Sequence, residues 1–196
     1  MAPSKESLRE FQDKNRMDPR PRSCVIVTRT GPSAGREETM ASPTAALHGR
    51  LEQTREETLR YFGLAEADLA RTYAPGKWSV RYVLHHIADS ETVFFERIRR
   101  TLSEPRPVLW VAQQDAWAKG LDYSRLPLDL SRRVFESVRA AVLYYVDEHY
   151  ARSGHLEFVH SVTGLRTLKD EFDKVANHNA HHLAQIRTAL GEAGPR

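Results

Sequence analysis

Nine histidines are present among 196 residues, and five of them fall in two short stretches. "HNAHHLAQ", His178 to Gln185, holds three within five positions, and "VLHHIADSE", Val83 to Glu91, holds two more far upstream. Neutral imidazole is a ligand for zinc, nickel, copper or ferrous iron, and residue type alone does not choose among them. His178 and His182 are one helical turn apart, so their rings can converge on a single ion. This is the spacing that lets the two histidines of an H-E-x-x-H helix share zinc. His86 would supply a third imidazole from a facing helix, and three nitrogens with an open position is the pattern of a catalytic metal site. The plainer reading is a pair of half-exposed histidines on a helix flank. A third candidate ligand, and Gln185 on the same face as His178, count for metal, but spacing alone leaves both readings open.

These residues need helices to hold them. Leu47, Leu51, Thr58 and Phe62 keep near-helical spacing from Thr44 onward. After the turn signal "YAPGKWS", Ser79 is a candidate N-cap for a second helix from about Val80 to Leu102, with Val80, Leu84, Ile87, Phe94 and Ile98 as its stripe. A third helix fits 129–149, with Leu130, Val134, Val138, Ala141, Val142 and Tyr145 on one side. A fourth fits 167–190, with Leu168, Phe172, Val175, Leu183, Ile186 and Leu190. Residues 105–128 read as a long connection holding a helical turn, and 151–167 as a loop with short extended pieces. Four amphipathic helices, one long crossover and no strand alternation predict an all-α four-helix bundle. At about 100° per residue, His182 lies roughly 65° from the centre of its stripe, His178 roughly 105° and His181 roughly 165°. On the second helix His86 lies roughly 110° from the stripe centre, and His85, at roughly 150°, is expected to face outward.

Composition narrows the class. Twenty-nine basic residues against 26 acidic give a net charge of +3, without a Lys/Arg run interleaved with aromatics, so nucleic acid is not an expected partner. Among all 196 residues no apolar run approaches the roughly 20 a membrane span needs, so no membrane partner is expected. The single cysteine, Cys24, excludes an internal disulfide and fits a reducing, cytoplasmic location. Residues 1–43, rich in Pro, Ser, Arg and Glu, hold too little apolar surface to offset their ordering entropy and are expected to be a disordered extension to a bundle spanning 44–196. Met40 opens a stretch that reads as an ordinary folded start, an alternative translation start that mass spectrometry of the native N-terminus would identify.

"KWSVRYVLHHIADSE" resembles the W-S-x-x-x-[VL]-x-H-[LI]-A-D-x-E segment of the DinB-like metal-binding proteins, and "HNAHHLAQI" resembles their H-x-x-H-H-x-x-Q-I segment. "VHSVTGLRTLKDEF" is similar to the family's loop into its last helix. The resemblance runs from Thr44 to Leu190. It implies a four-helix bundle of the DinB/YfiT kind with a divalent metal, zinc or nickel foremost and iron as an option, held by His86, His178 and His182. His85 and His181 match no ligand position. Trp78 matches a tryptophan expected to pack at the helix start. Glu91 matches the motif's acidic residue, either orienting an imidazole or making a hydrogen bond inside the bundle. His160 falls where the family carries a polar loop residue, either facing the metal or serving as a plain loop histidine. Gln185 is the remaining candidate to support a ligand.

The resemblance implies an enzyme that uses a low-molecular-weight thiol, transferring it to a small electrophile. A metal-dependent hydrolase acting on a small-molecule substrate is the alternative. A non-catalytic scaffold, with a homodimer as its natural form, is the rival of a different class. An open cavity beside the histidines would favour catalysis, and a site plugged by Trp110 or Trp117 would favour the scaffold.

Overall fold

The computed structural model describes residues 41–192. Most of the expected N-terminal extension, with Cys24 and Met40, lies outside the described residues. Ser42 Oγ accepts the Ala45 N–H, and Pro43, assigned by sequence to the extension, is the first residue of α1, Pro43–Tyr61. A short α2, Glu66–Leu69, leads into the turn before Ser79. Ser79 caps α3, Val80–Ser103, its Oγ accepting the Tyr82 N–H. Strand β1, Val108–Leu109, and a short α4, Gln114–Gly120, make up part of the long connection. Helix α5, Leu128–Ser153, is followed by β2, Glu157–His160, and β3, Gly164–Thr167. Thr167 and Asp170 form a reciprocal capping box at the start of α6, Leu168–Leu190, which ends at Gly191 in the left-handed conformation.

The four long helices form a bundle in which α1 and α3 each lie chiefly against α5 and α6. Two apolar layers fill the interior. One joins Leu51, Phe94, Ile98, Val142, Val146 and Phe172, and the other Tyr61, Leu84, Ile87, Phe135, Leu183 and Ile186. Polar residues lie amid these layers. Arg139, completely buried, donates through Nε and Nη2 to both oxygens of Glu91 at 2.5 and 2.9 Å. Its Nη1 reaches Leu51 O and Thr54 Oγ1, and Nη2 also reaches Asn179 Oδ1. Asn179 in turn donates to Thr58 Oγ1.

Three expectations are corrected. The stripe assigned to the third helix is rotated: Leu130 and Val134 are exposed, and the buried line runs Ser131, Phe135, Arg139, Val142, Val146, Tyr150. A charged residue at the centre of that line disguised it. The helix also continues to Ser153. Finally, the connection before α5 also holds a strand: β1 pairs parallel with β2, while β2 and β3, the short extended pieces expected in 151–167, pair antiparallel in the same small sheet.

Candidate metal centre

His86 comes from α3, and His178 and His182 from α6, which pack against each other. The structure brings all three rings together, with one nitrogen of each within 4.8 Å of the others. His178 Nε2 lies 3.2 Å from His86 Nε2 and 3.2 Å from His182 Nε2. Two ligands bound tetrahedrally to zinc at 2.0–2.1 Å would be about 3.3 Å apart, so these separations fit a common ion.

Hydrogen bonding among the rings does not account for the arrangement. The His182 Nδ1–H donates to Gln185 Oε1 at 2.8 Å, which leaves a lone pair on Nε2. A proton on His178 Nε2 can serve only one of its two neighbours, so at least one close N···N contact lacks a proton. Protonating a ring does not relieve this. Burial, then the charges of His182 and His86, pushes His178 down to about 2, and burial followed by His182 pushes His86 down to about 4. Burial lowers His182 as well. A close N···N contact without a proton, among three partly buried neutral rings, calls for a cation, and the residues present fit a divalent metal with positions left open.

The surroundings fix the rings. Trp78, half-buried, sets its ring edge-on to His86 at 5.2 Å, and Phe94 stands against His178 at 5.1 Å. Gln185 holds His182 and donates its amide to exposed His181 at 3.1 Å. Glu91 has both oxygens on Arg139, so it acts inside the bundle and does not orient an imidazole. His160 is buried at the end of β2, where Nδ1 accepts the N–H groups of Val162 and Thr163 at 3.3 Å.

Contrary to the expectation that it faces outward, His85 is fully buried. Its Nδ1 meets Ser131 Oγ at 2.7 Å and its ring lies 5.1 Å from Tyr123, because α5 and the segment after α4 cover that flank of α3. Burial, then Arg81, holds it down at about 4.

Two clefts open at the triad. One, of about 170 Å³, is lined by His86 and His178 with Asp89, Phe94, Trp117 and Lys174. The other, of about 540 Å³, runs past Trp78, Gln114, His178 and His182. Trp117 stands in the wall of the first, and Trp110, 75% exposed, lines a separate groove, so neither plugs the site.

Sequence reasoning missed Asp89, Tyr123 and Lys174. The Tyr123 hydroxyl donates to Asp89, whose carboxyl burial raises while that bond holds it back. Lys174 precedes His178 by one turn, as His178 precedes His182, and that row was a usable signal. Tyr123, in an irregular segment, offered none.

The family model of the DinB superfamily matches residues 50–186. A protein of Oceanobacillus iheyensis is 31% identical over 130 residues, covering 65% of this chain and 73% of its own. One of Halalkalibacterium halodurans is 31% identical over 127 residues, covering 65% and 74%. Both bear names that class them provisionally as metal-dependent hydrolases. YfiT from Bacillus subtilis, described as a probable metal-dependent hydrolase with an unusual four-helix bundle topology, superposes with a TM-score of 0.70 at 21% identity, over 83% of this chain and 96% of its own. The length and identity of these matches, with the bundle described above, settle one matter: this chain belongs to the DinB superfamily.

Proposed function

We propose that this chain is a metal-dependent enzyme acting on small molecules, with His86, His178 and His182 as the ligands of one divalent ion, zinc or nickel. The observation that carries the reading is the convergence of three imidazole nitrogens, with two N···N separations of 3.2 Å, beside open clefts. Such an ion lowers the pKa of water or a thiol bound to it and polarises an electrophile.

The chain's own residues supply the rest. Gln185 fixes the tautomer of His182, so that Nε2 presents its lone pair. Asp89, held by Tyr123 and lining the cleft, accepts the proton that the nucleophile gives up. Phe94, Val93, Val111 and Trp117 form an apolar wall that limits water around the reacting group. In this reading the nucleophile is a small molecule, water or a low-molecular-weight thiol, that the bound ion would activate. The names of the relatives favour water, hence hydrolysis. The apolar wall suits a carbon-bound sulfur, which supports transfer of a low-molecular-weight thiol as the second reading.

The test uses zinc-loaded and nickel-loaded full-length protein. It is assayed against p-nitrophenyl esters, and against 1-chloro-2,4-dinitrobenzene with added small thiols. Turnover is expected with one panel, reduced roughly a hundredfold or more in Asp89→Asn and lost in His182→Ala. Activity equal in wild type and His182→Ala would overturn the reading.

A further inference from the structure

His160 carries a group that nothing in the fold uses. Its Nδ1 accepts two backbone N–H groups from the β2–β3 turn, so the neutral ring must bear its proton on Nε2. That Nε2–H has no hydrogen-bond partner among the described residues, although the residue is only 5% exposed. A buried donor left unpaired is costly, and in a native site it points to something that binds there. Nδ1 faces the turn, and His160 is a lining residue of the smaller cleft together with Arg97, Lys174 and His178.

The charge around it is positive. Burial, then Arg97, Lys174 and Arg166, lowers the His160 pKa, which keeps the ring neutral and its one N–H a donor. Arg97 is engaged: Nη1 lies 3.3 Å from Glu171 Oε1, and Nη2 donates to Trp110 O at 2.7 Å. Lys174 has no carboxylate within salt-bridge distance among the described residues; its ammonium stands 5.6 Å from the centre of the Phe94 ring, the same ring that abuts His178. One ammonium without a salt-bridge partner among the described residues and one neutral N–H match a monoanion with two oxygens. The volume of about 170 Å³ is that of roughly six waters, too small for a large ligand.

Resting on the metal-dependent reading above, we infer that His160 and Lys174 form a carboxylate-binding subsite beside the three-histidine centre, and that the substrate is a small organic acid. The carboxylate takes the His160 Nε2–H and the Lys174 ammonium, and the acid's reactive carbon extends toward His86 and His178. This sets specificity by charge: an acid is held and oriented, while its neutral amide lacks the ion pair.

The test is a titration of the full-length protein with propionate and with propionamide, both as purified and after chelation. Binding is followed by NMR through the His160 side-chain Nε2–H and the backbone amides of residues 158–178. Propionate is expected to give a saturable shift with or without metal, and propionamide none. Lys174→Met, at an exposed position, should weaken propionate roughly tenfold or more. His160→Asn, which keeps a side-chain donor, should hold within about threefold of wild type, and His160→Phe should fall with Lys174→Met. An equal response to the amide, unchanged affinity in Lys174→Met, or saturation only with metal present would overturn the subsite. Zinc content of the same samples, measured by elemental analysis, reads the triad separately, so failure of the metal reading and failure of the subsite are told apart.

Discussion

Replacing Arg139 by Met should be among the most damaging single changes in the bundle. All five guanidinium N–H groups are used: two on Glu91, and one each on Leu51 O, Thr54 Oγ1 and Asn179 Oδ1. The methionine fills much of the volume but leaves the Glu91 carboxylate, 2% exposed, without its counter-charge. Removing one partner of a buried ion pair costs about 3–5 kcal/mol. At about 2–4 °C per kcal/mol for a unit of this size, the melting temperature should fall by roughly 6–20 °C. The double variant Glu91→Leu/Arg139→Met removes both charges and should recover most of that loss, because the pair's own desolvation largely offsets its attraction. The assay is urea unfolding followed by circular dichroism, with metal absent so that ligand linkage does not mask the change. Arg139→Met within about 1 kcal/mol of wild type, or a double variant no better than the single, would refute this account of the polar residues at the bundle's centre.

Gln185→Leu should keep the fold and lower metal affinity roughly 10–100-fold, since the His182 tautomer is no longer held; a competition titration against a chromophoric chelator measures this, and an unchanged affinity would deny Gln185 its role. Acid should destabilise the metal-free protein well before its carboxylates titrate. His85 and His86 fall to about 4 in the folded chain against 6.5 unfolded, so the unfolded state binds more protons between those values and stability drops as pH falls through that window. The ceiling is ~3 kcal/mol for each group, readable from urea midpoints at pH 7, 5.5 and 4; a flat profile would contradict the buried neutral rings.

The helices that position the site were legible because their signals agree. In α3 and α6 the apolar stripe, a hydroxyl N-cap and a bounding turn residue all point to the same boundaries, and the flank positions of His86, His178 and His182 follow from the wheel. Helix α5 was misread because Arg139 occupies the centre of its buried line, and a charge there breaks the apolar pattern while Leu130 and Val134 supply a false one. His85 was misread for a related reason: a wheel records one buried face, whereas α3 is also covered by Tyr123 and Ser131, which no spacing in α3 reveals. Strand β1 is two residues long and gains its partner from a segment far along the chain, so its own sequence carries no alternation to detect. Glu91 had two readings from sequence, and its partner became visible only when α5 was in place.

The central claim is that three imidazoles from α3 and α6 share one ion. Tag-free protein reconstituted with zinc, then measured by elemental analysis and X-ray absorption, tests it most directly. The account predicts about one equivalent per chain, with three imidazole nitrogens at about 2.0–2.1 Å, and loss of that signal in His182→Ala. Retention below about a tenth of an equivalent, or a metal shell without three imidazoles, would contradict it.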